Sequence, residues 1–153
     1  MLKMAKHLSI EQYIDFKMSL YDRVIGDILN NMGLEHIRIK CVFRGDSQKY
    51  QASVKKAKSK KYDYIIFLFK FKHDDEWTIR LLALNTLKTI IHEVRHIYQI
   101  ENNMFPEMLN HHIDIPYRER PWENDAYDYS HEYYADHRQF FRDNCMDIIR
   151  STE

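Results

Sequence analysis

The segment His92-Glu93-Val94-Arg95-His96 sets two imidazoles four residues apart, with a carboxylate directly after the first. Residues four apart on a helix lie one above the other, so both rings can reach a single Zn²⁺. The glutamate falls about 100° around the helix. It can therefore contact a water at the metal without being a ligand, and act as general base. A catalytic zinc takes three protein ligands and keeps one position open. The motif thus requires one more ligand from elsewhere in the chain.

The surrounding pattern shows which side of the helix the motif occupies. With His92 at 0°, His96, Asn85, Thr89, Gln99 and Glu93 fall within about −20° to +100°. Ile79, Ala83, Leu87, Ile90, Ile91, Val94, Ile97 and Tyr98 gather on the other side. A polar stripe carrying two histidines on a helix otherwise committed to the core is the pattern of a cleft wall.

Two glutamates compete to be the third ligand. Glu123 opens Glu123-Asn124-Asp125-Ala126, and Glu132 opens Glu132-Tyr133-Tyr134-Ala135-Asp136. The two glutamates are nine residues apart, about 900°, which sets them half a turn out of phase, so they cannot share a site. On the Glu123 face lie Ala126, Tyr127, Ser130, Tyr134, Phe141, Cys145 and Ile148, which are mostly small or apolar and predict an inward side. On the Glu132 face lie Asp128, Ala135, Asp136, Gln139 and Asp143, which predict a solvated one. An inward carboxylate needs a partner, and Glu123 is favoured. The expected metal ligands are His92, His96 and Glu123, with Glu93 catalytic. Asp125, Asn85 and Gln99 could orient the ligand rings. His111, His112, Tyr117 and Tyr127 are alternatives for an oxyanion donor.

These residues need elements to hold them. Ser9-Ile10-Glu11-Gln12 fits a capping box, and the helix it opens stops at Gly33. Alternation over Ile37, Ile39, Cys41 and Phe43 predicts a strand, and Gly45-Asp46-Ser47 a turn. Tyr50, Ala52 and Val54 alternate as a second strand, and Tyr62–Phe71 reads as a third, covered on both faces. Short links between the three suggest an antiparallel meander. Asp74 or Asp75 caps a long helix to about Glu101. Residues 102–120 form a long loop. Pro121 starts a last helix that ends near Arg150. The expectation is one α+β domain over residues 1–153: N-terminal helix, three-stranded antiparallel sheet, motif helix, loop and C-terminal helix.

At 153 residues with 44% hydrophobic and 30% charged content, the chain can bury a core and is not broadly disordered. No apolar run is long enough for a membrane span or a signal peptide. Cys41 and Cys145 cannot build a disulfide framework; both fall on inward positions and read as inert. The expectation is a reduced, cytoplasmic protein with no membrane partner. Net charge is zero but uneven: residues 1–100 carry 18 Lys/Arg against 11 Asp/Glu, and residues 101–153 carry 5 against 12. Lys55, Lys56, Lys58, Lys60 and Lys61 could touch nucleic acid. A solvated hairpin tip is the plainer reading.

The metzincin pattern needs glycine three residues after the second histidine and a third histidine three further on. This chain has Gln99 and Asn102 there. It instead resembles the gluzincin branch of HExxH zinc metallopeptidases, through His92, Glu93 and His96 with the downstream Glu123 and Ala126. More closely, IIHEVRHIYQ followed by ERPWENDAYDY is similar to a group of phage and bacterial metallopeptidase-like proteins. Those share HE-x-RH-x-x-Q and RPxExDA segments; the likeness covers about residues 85–130. It implies a minimal zincin fold, zinc, and hydrolysis of peptide bonds in a protein or peptide substrate. Two alternatives are a catalytically inactive zinc-binding protein and a module that binds DNA-associated proteins.

Overall fold

The structure, a computed structural model, describes residues 2–110 and 114–153. Among them the main elements are α1 (Ile10–Asn31), β1 (Ile39–Ser47), β2 (Ala52–Lys56), β3 (Tyr64–Phe71), α2 (Ile79–Glu101), α3 (Pro121–Asp136) and α4 (Arg138–Thr152). The α+β class is as expected. No helix among the described residues is long and apolar enough to cross a membrane.

α1 starts on its capping box: Ser9 Oγ accepts from the Gln12 amide at 3.1 Å, and Gln12 Oε1 accepts from the Ser9 amide at 2.9 Å. It ends where Gly33 turns to φ 70°, a left-handed conformation that glycine adopts without a Cβ penalty.

The sheet is mixed rather than an antiparallel meander. Its order is β1-β3-β2, with β3 parallel to β1 and antiparallel to β2. Sequence neighbours were expected to pair. Instead the link at residues 48–51 carries the chain to the far edge, and β3 fills the central place. That place suits the most apolar strand, since it has a partner on each side. Tyr64, Ile66 and Leu68 are buried there, while Phe67 on the other face is covered by Arg44 and Lys55. Gly45-Asp46-Ser47 is not a turn. β1 continues through it, with a register shift between Phe43 and Gly45. The chain turns after Ser47, whose Oγ accepts from the amides of Lys49 and Tyr50.

α2 is capped by Thr78, whose side chain accepts from the Leu81 amide, and not by Asp74 or Asp75. Asp74 is buried in a separate cluster with Tyr13 and Lys17. The buried face of α2 carries Ile79, Leu82, Ala83, Leu87, Ile90, Ile91, Val94 and Ile97. It joins one core with Phe16, Leu20, Val24 and Ile28 of α1 and the inner face of β3. Fully burying side chains of this size contributes about 1.5–3 kcal/mol each. The motif helix is therefore anchored along its apolar side.

The expected single last helix is broken at His137, which has φ −118° and ψ 22°. Its Nδ1 meets the Tyr133 carbonyl at 2.8 Å, and its ring stacks on Tyr133 at 4.0 Å. The break leaves the inward face in phase on both sides of it. Ala126, Ser130, Phe141 and Cys145 are inward as expected, but Tyr127 is exposed and Tyr133 is buried.

Candidate metal centre

Two elements bring the expected ligands together. α2 presents His92 and His96 one turn apart, and the first turn of α3 presents Glu123. Pro121 at the start of α3 needs no amide partner, and the helix N-terminus favours an acid at this place. Ala126, one turn on, is fully buried, and such a small side chain lets α3 lie close to α2. Glu132 is exposed and takes no part.

Glu123 Oε1 lies 2.6 Å from His96 Nε2 and 3.2 Å from His92 Nε2, and the two ring nitrogens are 3.1 Å apart. One donor atom from each residue lies within 4.8 Å of the others, so the trio could hold a metal ion. Burial works against the Glu123 carboxylate, but hydrogen bonds and charge from the two histidines outweigh it and hold its pKa well below the usual range. Burial likewise opposes His96 protonation, yet Glu123, Glu93 and Gln99 together raise the ring to about 9.

The tautomer of His96 follows from its neighbours. The Trp122 carbonyl can only accept, so the Gln99 group facing it at 2.8 Å is the amide nitrogen. Gln99 Oε1 then faces His96 Nδ1 at 2.8 Å, which must carry a proton. In the neutral ring the Nε2 lone pair is left directed at the trio, as metal ligation requires. Gln99 is fully buried and also donates to Asp125 Oδ2 at 2.7 Å. Asp125 in turn takes a two-point contact from Arg95, at 2.8 and 3.2 Å.

Gln99 and Asp125 thus support the ring as anticipated, whereas Asn85 bonds the Leu81 carbonyl and orients no ligand. Arg95 was missed as a partner. It lies between the rings of Tyr98 and Tyr129, at 4.5 and 4.4 Å, and ties α2 to α3. The pairing was readable only as opposite charges one and two positions from ligands on different helices.

Glu93 is buried beside the trio, and burial pushes its pKa up despite the nearby histidines. It opens onto a cleft of about 460 Å³ that also reaches His92, Tyr117, Tyr127, Lys88 and His131. Thr89 donates to Gln51 at 2.7 Å, which holds edge strand β2 against this wall. Among the oxyanion candidates, Tyr117 hydrogen-bonds Glu123, and burial first and that carboxylate second raise its phenol. Tyr127 also lines the cleft, and its ring meets that of His131 at a tilt, with centroids 4.3 Å apart. His111 and His112 lie outside the described residues. Burial pushes Cys41 to about 12 and Cys145 to about 11, so neither thiol is an activated nucleophile.

No protein-family model, curated protein or solved structure matches this chain.

Proposed function

We propose that this chain is a zinc-dependent metallopeptidase with a minimal zincin-like fold, acting on a protein or peptide substrate in the cytoplasm. One observation carries the reading: the trio His92, His96 and Glu123 converges beside a buried Glu93 at the wall of an open cleft. Two imidazoles and a carboxylate form a donor set that suits zinc and leaves a fourth position. Zinc, when bound, supplies Lewis acidity, lowering a water's pKa and polarising a carbonyl.

The chain's own residues do the rest. His92, His96 and Glu123 hold the ion, and Gln99 keeps the His96 ring turned toward it. Glu93 accepts the proton of the attacking water at its carboxylate and returns it to the leaving amine. Its raised pKa suits both halves of that exchange. Tyr117, already donating near the trio, is the phenol placed to stabilise a developing oxyanion.

Glu93→Gln tests this. The amide keeps the shape but cannot accept a proton, so zinc content should stay and hydrolysis should fall by roughly 10²–10⁴. Equal rates for variant and wild type would remove Glu93 as the base. A second reading, a module that docks on DNA or its proteins, draws on the exposed hairpin lysines Lys55, Lys56, Lys58, Lys60 and Lys61. It requires DNA binding that falls steeply with salt.

A further inference from the structure

The cleft beside the trio has a charge pattern that its proposed chemistry does not use. Lys49 from the β1–β2 link, Lys88 from α2 and His131 from α3 all line it. Glu93 is the one carboxylate among the residues that line it. Lys88 is half-buried and sits 3.1 Å from His131 Nδ1. Burial, then the neighbouring Lys88, lower the pKa of His131, with Asp128 opposing. His131 is therefore an acceptor at Nδ1, and its Nε2 carries the proton. An ammonium has three donors and His131 occupies one. Lys88, Lys49 and the His131 Nε2–H together offer donors and positive charge, and Glu93, the one acid in the lining, makes no ion pair with either lysine.

Position gives this cluster a use. Lys88 precedes His92 by four residues, which places their Cβ atoms about 5–6 Å apart on one helix face. An extended peptide advances about 3.3 Å per residue. A side chain within one or two residues of a bond held at the trio would reach Lys88.

We infer that Lys88, with Lys49 and His131, forms an anionic subsite, and that the substrate is a peptide with an acidic side chain one or two residues from the cleaved bond. The inference rests on the peptidase reading for what lies in the cleft, but recognition of the carboxylate is separable from hydrolysis. A charge-assisted hydrogen bond gives about tenfold discrimination or more against an uncharged isostere.

The test uses degenerate ten-residue peptides with Glu, Gln or Lys fixed at one position. Binding to zinc-loaded Glu93→Gln is read by fluorescence anisotropy, and cleavage is read with the wild type. The Glu set should bind and be cleaved about tenfold better than the Gln set. Lys88→Met should reduce that ratio to below about twofold, Lys88→Arg should keep it, and Lys88→Glu should transfer the preference to the Lys set. Lys49→Met, on a separate exposed link, should lower it partially and checks the result if Lys88→Met folds poorly. Equal cleavage of the Glu and Gln sets overturns the subsite and leaves the peptidase reading standing. Selective binding of the Glu set with no cleavage of any set supports the subsite and removes the peptidase reading. Binding of neither set overturns the subsite.

Discussion

Two of the clusters of buried charge among the described residues are built to opposite ends. In the first, Asp74 is fully enclosed; its Oδ2 accepts from Tyr13, from Lys17 at 3.1 Å and from the Phe71 amide at 3.1 Å. Lys17 also donates to the Phe69 carbonyl at 2.9 Å, so α1 is pinned to the end of β3. In the second, Glu123 meets two imidazoles at the edge of a cleft. A lysine ammonium carries donors only and has no lone pair to offer a metal. An imidazole can give up its proton and offer a lone pair in the same place. The first cluster is therefore a fixed joint, and the second can exchange a proton for a metal ion.

The strongest way to break this comparison is Asp74→Ala. It strands Lys17, whose pKa burial already lowers while Asp74 opposes. Removing one partner of a buried pair costs about 3–5 kcal/mol. Denaturant unfolding should show that loss, while folded protein at saturating zinc keeps its metal. Metal loss in parallel with stability would mean that the two clusters are coupled.

Glu123→Ala should do the reverse. Losing a direct ligand should weaken zinc by more than the roughly 10–100-fold that follows loss of an outer partner. Glu132→Ala, on the exposed side of α3, should change stability by less than about 0.5 kcal/mol and leave zinc affinity alone. Competition with a chelator separates the two variants. Equal affinities would remove Glu123 from the centre.

The residues of this second cluster were legible because local geometry dictates them: four-residue spacing sets the histidines, and the small Ala126 marks the side of α3 that packs. Non-local choices were not legible. Nothing in β1, β2 or β3 taken alone says that β3 will sit between the other two; that is decided by which strand gains most from two neighbours. The helix break at His137 was missed because its cause is a side-chain bond and ring stack with Tyr133, which periodicity does not register. Asp74 was misread as a helix cap because its partners Tyr13 and Lys17 lie more than fifty residues earlier.

The proton exchange itself can be measured. In the metal-free protein His96 titrates at about 9 rather than 6.5. Its contribution to stability is therefore complete below pH 6.5 and is lost as pH rises through about 9. Zinc needs the neutral ring, so affinity should climb with pH up to that same point, by at most about tenfold per unit for this one proton. Calorimetry in buffers of different ionisation heat should show about one proton released from the ring at pH 7. No release would mean that the ring is already neutral and that the cluster is not holding a proton in the metal's place.

The effect that sharpens the comparison most is at Gln99. It touches no metal position, yet it fixes His96 through Oε1 and is itself fixed by the Trp122 carbonyl and Asp125. Gln99→Leu fills similar space but removes the acceptor for His96 Nδ1–H and leaves the Trp122 carbonyl without this donor. Zinc affinity should fall by about 10–100-fold, with a stability loss of about 1–3 kcal/mol for the buried groups left unpaired. Gln99→Glu keeps the acceptor for the ring but removes the donor that Asp125 and Trp122 share. It should therefore retain more zinc affinity than Gln99→Leu while losing comparable stability. A purely structural role would move affinity and stability together in both variants. The split arises only if the acceptor that Gln99 offers to His96 is what keeps the ring turned toward the metal.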